Sequence, residues 1–313
     1  MTASDHTVAK DAVPPSGGAA STARPSLARR VLSDGFTSWA LATPVTLVLA
    51  FFLLAPIAMI VAVSFWGSTS FSIYPDFIWD NYDYLLGSSV TYKVFLTTLK
   101  FAFMTWIISL VVGFTVAYYL TFHIRSLTWQ IALFLLCTIP FWTSNIIRMI
   151  SWIPFLGRNG IANQTLMDLG FTTEPLEWLL YSEFSVTLAF VHLYTLFMVV
   201  PIFNTMMRID KSLIEAAYDA GASGFQILTN VIIPLCKPGM MIGSIFVVTL
   251  VMGDFITVRF MSGSQIANVG RLISNDIALL AYPSAAATAV VLLITVLIMV
   301  AVMLRFVDIR KEL

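Results

Sequence analysis

The chain has 313 residues, 58% of them apolar and 11% charged, with a mean hydropathy of +0.88. That composition excludes an ordinary soluble domain and describes a polytopic membrane protein. Lys plus Arg and Asp plus Glu both number 17, so the net charge is zero and points to no nucleic-acid partner; the placement of the charges carries the information.

Residues 1–35 are rich in Ala, Ser, Pro, Gly and Thr with few large apolar side chains, which predicts a disordered tail. Residues 36–313 then form the membrane domain. Six runs have the roughly 20 apolar residues that a bilayer crossing needs: Leu41 to Phe65, Val94 to Leu120, Thr128 to Ile147, Phe184 to Met206, Gly239 to Phe260 and Ser284 to Phe306. The first is too long for a signal-peptide core and lacks a small-residue cleavage site, so it is expected to remain; Pro44 and Pro56 are placed to kink it. An even count of spans puts both termini on one side. With that side cytoplasmic, eleven Lys and Arg fall in inner segments and five outside, the bias of the positive-inside rule.

Between spans one and two, Tyr74, Asp76, Trp79, Asp80, Tyr82, Asp83 and Tyr84 form an aromatic and acidic outer loop, best read as an interfacial belt. Span two carries Ala102, Thr105, Ser109, Gly113 and Ala117 at helical spacing, a small-residue stripe that should face the bundle. Lys100 is close enough to the outer end to snorkel to the headgroups. Span three ends in Pro140-Phe141-Trp142-Thr143-Ser144-Asn145, a polar, proline-bent stretch whose freed backbone groups cannot face lipid and should line a cavity. Arg148 to Gln164 is too polar to span and reads as an outer amphipathic connector with a turn at Arg158-Asn159-Gly160.

Between spans four and five lies a polar, helix-forming loop over residues 207–238. Ser212 followed by Glu215 has the spacing of a capping box, predicting a helix from about Leu213. Gly221 can adopt the left-handed conformation that ends it, and Ser223 can cap a second helix from Gly224 to about Val231. The product is a helical elbow on the cytoplasmic side.

The full pattern reads Glu215-Ala216-Ala217, three residues, Gly221, nine residues, then Val231-x-Ile233-Pro234. It closely resembles the EAA loop of bacterial ABC importer permeases, which usually ends I-x-L-P. A lone E-A-A would be an ordinary capped connector; the whole spaced pattern favours coupling. The connector from Arg148 to Gln164, the stretch Leu180 to Phe184, and Gly253-Asp254-Phe255 are similar to the permease subunits of spermidine/putrescine importers, the first of their two related membrane subunits. The loop from Ser262 to Ile273 is an altered version of that branch's outer loop.

The resemblance implies an all-α fold, a six-helix type I ABC importer permease in the inner membrane. It also implies alternating access and a polyamine as solute. Glu215, Ala216, Ala217, Gly221 and Pro234 would then form a coupling element inserted into an ATPase subunit. The implied partners are two ATP-binding cassette subunits, which carry the ATP and Mg, a second homologous permease, and an extracytoplasmic solute-binding protein.

No G-x-x-x-x-G-K-[ST] phosphate loop occurs, so the chain is expected to bind no cofactor and to be no enzyme. His6, His123 and His192 form no metal-ligand spacing, and His192 is expected to be a hydrogen-bonded member of the bundle. No catalytic residue is assigned. Cys137 and Cys236 fall in different environments and define no disulfide framework. An ion-driven secondary transporter or channel is the alternative, but it would require more intramembrane charge and inverted repeats. The candidate substrate path contains Asp254 and Thr257 on one face of span five, with Trp142 and Asn145 from span three. Asp254 has two readings at this point: pairing with a cationic solute, or a structural carboxylate at a helix bend beside Gly253.

Overall fold

The computed structural model describes residues 27–69 and 72–305. Of the expected tail, residues 1–26 lie outside these. Leu27 to Gly35 are already helical, because Leu27-Ala28-Arg29-Arg30-Val31-Leu32 is made mostly of good helix formers. Met1–Pro56 and Ile57–Leu313 form two units. Helix α1 (Leu27–Val63) runs through Pro44 and Pro56.

In the second unit, a two-residue antiparallel pair, β1 (Gly67–Ser68) and β2 (Ile73–Tyr74), leads to α2 (Asp80–Gly87). Within the aromatic loop several rings pack on one another. Phe65 stacks on Phe77 at 4.7 Å and touches Trp79 and Tyr82, while the Asn81 amide donates to the carbonyls of Ser64 and Trp66, both at 3.0 Å.

Helix α3 (Ser89–Tyr118) continues through a wide π turn to His123. Helix α4 (Leu127–Thr138) and a 3-10 turn to Trp142 precede α5 (Asn145–Leu156) and α6 (Ile161–Asp168). After these come α7 (Glu183–Met206), α8 (Lys211–Asp219), α9 (Gly224–Ile227) and α10 (Ile233–Gly253). The chain closes with α11 (Ile256–Met261), α12 (Val269–Ala278) and α13 (Tyr282–Arg305).

Five helical stretches are long and apolar enough to cross a membrane, and six if the pair Leu127–Trp142 and Asn145–Asp168, bent by 90°, counts as one. Span three therefore breaks at Thr143 instead of running to Ile147. Pro140 supplies no N–H to continue the ladder, and the Thr143 hydroxyl donates to the Pro140 carbonyl at 2.8 Å.

The centre of the bundle is α3, α7 and α10, packed pairwise on one another. Lipid tails are as apolar as leucine, so burying apolar surface does little to join these helices; close approach and hydrogen bonds must do so. The small-residue stripe of α3 does face inward as expected, with Ala102, Thr105, Ser109, Gly113 and Ala117 all buried. Across it, Thr195 donates to Ser109 Oγ at 3.3 Å, and Trp106 Nε1 donates to Ser244 Oγ at 2.7 Å. Lys100 does not snorkel freely: its Nζ pairs with Glu183 at 2.5 Å, joining α3 to the start of α7.

The tightest approach is between α7 and α10. A Cβ built on Gly239 would lie 2.5 Å from the Pro201 carbonyl oxygen, a backbone atom that cannot yield, whereas one on Gly87 would meet nothing within 4 Å. Gly239→Ala should therefore destabilise the bundle by about 1–3 kcal/mol through overpacking. Gly87→Ala should not. Thermal unfolding of the purified chain in detergent checks the difference.

Candidate functional site

Two places gather the residues singled out from the sequence: the elbow between α7 and α10, and the break in span five.

The elbow forms, with a different first cap. The Asp210 carboxylate, not Ser212, accepts from the Ser212 N–H at 3.0 Å, so α8 starts at Lys211 and Glu215 sits in its second turn, beyond capping reach. That backbone bond holds the Asp210 carboxyl below its ordinary range. The cap's contribution is thus complete above the ordinary carboxylate pKa and is lost as pH falls through the lowered folded value.

Helix α8 ends as expected at Gly221, which has φ +84°. The Gly221 N–H reaches the Tyr218 carbonyl at 2.8 Å and the Ala222 N–H reaches the Ala217 carbonyl at 3.0 Å, the paired bonds of a Schellman stop. Nothing lies within 4 Å of a Cβ built there, so the glycine is required by its backbone angle and not by crowding. Ser223 then caps α9 reciprocally with Gln226, as expected.

From Gly224 the chain does not stop near Val231. It is helical to Gly253, with a π turn over Leu228–Ile232. The Ile233 N–H bonds to the Leu228 carbonyl, five residues back, and this widened turn accommodates the missing N–H of Pro234. The second arm of the elbow is thus the first part of span five.

Helix α8 buries none of its residues. Glu215 and Ala216 are exposed, Ala217 and Pro234 half-buried, and Tyr218 and Phe225 are 58% and 74% exposed. Between the elbow and the turn after α3 lies a cleft of about 590 Å³, lined among others by His123, Arg125, Lys211, Glu215 and Tyr218. An apolar and charged helix left uncovered beside such a cleft is built for contact with another surface.

At the second place, span five ends at Gly253 and not at Phe260. Asp254 takes an extended conformation, with ψ 109°, and closes the break with its own side chain. Its Oδ1 accepts from the Thr257 N–H at 2.9 Å, and its Oδ2 accepts from the Thr257 hydroxyl at 2.5 Å and the Tyr194 hydroxyl at 2.7 Å. Its carbonyl accepts from the Asn268 amide at 2.7 Å, and Asn268 also caps α12.

Asp254 and Thr257 are thus brought together, Thr257 being 1% exposed. Trp142 is not joined to them; it is 88% exposed and stacks on no ring of the described residues. Asn145 accepts a hydrogen bond from Arg148, whose guanidinium lies over the Phe141 ring at 5.1 Å. His192 is hydrogen-bonded as expected, accepting from Trp152 Nε1 at 3.1 Å. Sequence reading missed Arg148, Tyr194 and Asn268. Arg148 looked like an outer-side charge and Tyr194 was hidden in an apolar run, though Asn145 three residues before Arg148 was a usable pairing signal.

Removing the Tyr194 hydroxyl takes one donor from the carboxylate and leaves two. Tyr194→Phe should cost about 1–3 kcal/mol, more than Thr195→Val, whose hydroxyl also bonds within its own helix. Unfolding of both variants in detergent makes the comparison.

Residues 109–310 match the family described as "Binding-protein-dependent transport system inner membrane component". The chain is 32% identical to the "Spermidine/putrescine transport system permease protein PotB" of Escherichia coli, over 81% of this chain and 92% of that protein. It is 35% identical to the protein of the same name from Haemophilus influenzae, over 39% of this chain and 42% of that one. A solved bacterial alginate ABC transporter, in complex with a pentasaccharide-bound periplasmic protein, contains a chain that superposes with a TM-score of 0.66 at 14% identity. That superposition covers 88% of this chain and 95% of that one, which is a likeness of fold. The protein is a multi-pass inner-membrane component of the binding-protein-dependent transport family, the permease subunit of an ABC importer.

Proposed function

We propose that this permease subunit moves a polyamine, of the spermidine and putrescine class, inward by alternating access. ATP is hydrolysed on two separate cassette subunits that also hold the Mg. The observation that carries the coupling half is the elbow: α8 has no fully buried residue, only Ile214 and Ala217 being half-buried, and is stopped by a left-handed glycine. Glu215, Ala216 and the half-buried Ala217 form the surface that enters the ATPase cleft. Pro234 sits where the elbow becomes span five, so a push on α8 is passed across the Gly221 turn into the continuous helix from Gly224 to Gly253.

The solute half rests on the likeness to the Escherichia coli permease over most of both chains. A second homologous permease completes the pathway, and an extracytoplasmic binding protein delivers the solute. Both termini and the elbow lie in the cytoplasm, in keeping with the excess of basic residues on that side.

Asp254 belongs to the scaffold in this reading. Its two oxygens already accept three hydrogen bonds, so it holds the break in span five instead of waiting for an amine.

The test is ATP-driven uptake of labelled spermidine and putrescine by proteoliposomes holding the complete transporter. Gly221→Val forces a β-branched residue into a left-handed angle at a cost of about 1–2 kcal/mol, and Glu215→Ala removes an exposed carboxylate. Both should insert normally and lose uptake together with ATPase stimulation. Wild-type uptake by both variants would contradict docking through the elbow, and uptake of neither amine by the wild type would contradict the solute assignment.

A further inference from the structure

Among residues 43–69 and 72–305, Arg148 is the only Lys, Arg, Asp or Glu whose side chain is buried, with 9% of its surface exposed. It lies in the first turn of α5, just past the break in span three. One guanidinium nitrogen donates to Asn145 and the group rests on Phe141, but Nε and Nη1 are buried without a partner. A guanidinium carries five N–H donors, and leaving the three on Nε and Nη1 buried and unmet is costly unless an acceptor arrives in another state.

The charged and polar groups that face it come from two neighbouring elements. On α7, His192 already accepts from Trp152, and Tyr194 lies within electrostatic range of the guanidinium while donating to Asp254. Asp254, which accepts that bond, stands at the break before α11. Helix α5 packs on both α7 and α11, so the two breaks are mechanically linked. A cleft of about 380 Å³, lined by Thr143, Ser151, Trp152 and His192, opens beside the guanidinium and gives the side chain room to leave Phe141.

We propose that Arg148 and Asp254 are the two halves of an intramembrane gate. In this structure the Tyr194 hydroxyl occupies the carboxylate oxygen, Oδ2, that Arg148 takes in the other access state. As α5 and α11 draw together, the guanidinium donates directly to Asp254 and the tyrosine is released. The bond that forms is charged on both partners, where the tyrosine bond it replaces is charged only on the acceptor. It also supplies the acceptor that Nε and Nη1 lack here. Arg148 is thus a positioning residue that acts on the span-five break, and the proposal rests on the importer reading.

The experiment is a double-mutant cycle on ATP-driven spermidine uptake in the reconstituted complete transporter, with insertion measured for every variant. Arg148→Gln and Asp254→Asn should each slow uptake by about tenfold or more. The double variant should be no slower than the slower single one, because both remove the same bond. Arg148→Lys, which keeps the charge, should recover most of the rate.

Wild-type uptake by either neutral variant, or a double defect equal to the product of the single ones, would overturn the gate. Should Arg148→Gln not insert, Asp254→Asn is measured in the Arg148→Lys and wild-type backgrounds. A smaller loss in the Arg148→Lys background than in the wild type supports the pair, and an equal loss in both, or a rate unchanged in both, overturns it. Failure of the importer reading would look different, as a wild-type complex with no ATP-driven uptake, and would remove the gate with it.

Discussion

A chain inside a bilayer must satisfy every backbone N–H and C=O from within, and each place where a helix breaks there has to be repaired by a side chain. Much of this structure follows from that requirement. Four amides do a large part of the repair. Asn81 holds the end of span one, Gln130 Nε2 bonds the Thr121 and Ile124 carbonyls after α3, Asn163 ties Gly157 to Leu176, and Asn268 reaches back to Asp254. Asp254 does the same with a carboxylate, which is why an acid persists in a span where charge is otherwise scarce. At the 90° break of span three the repair is incomplete, and it is there that Arg148 is left with unmet donors.

Between the breaks, the bundle is held by shape. Gly113, Gly239 and Gly243 let α3, α7 and α10 approach until backbone touches side chain, and buried Phe101, Phe190, Met198 and Ile202 fill the remaining volume. Dispersion at close range replaces the hydrophobic driving force that such residues would supply in water. A rigid three-helix centre flanked by broken spans suits alternating access: the centre transmits motion and the breaks absorb it.

The sequence was most legible where one residue type has one physical use. Gly221 had to be left-handed, Ser223 had to cap, and the small-residue stripe of α3 had to face inward, and all three do so. It was least legible where two residues compete for the same task. Ser212 had the spacing of a capping box, but Asp210, a stronger acceptor two residues earlier, starts the helix first. Span five was expected to run to Phe260, because hydropathy does not register a change of backbone direction, although a helix bend beside Gly253 was one of the two readings of Asp254. The helix from Gly224 was expected to stop near Val231 and does not, since a π turn makes room for Pro234. The bond from Tyr194 to Asp254 joins residues from two distant segments, and spacing along the chain cannot reveal it.

The fold, the family and the exposed elbow converge on a subunit that converts work done elsewhere into movement of its spans. That account stands or falls on whether α8 and α9 are covered by the ATPase in the working complex. Hydrogen exchange over Lys211 to Ile227, measured in membranes with the ATPase bound and after its removal, tests this directly. Covering the elbow should slow exchange there selectively, leaving the loop Ser262 to Asn268 at the opposite end unchanged. Equal exchange at the elbow in both states would contradict it.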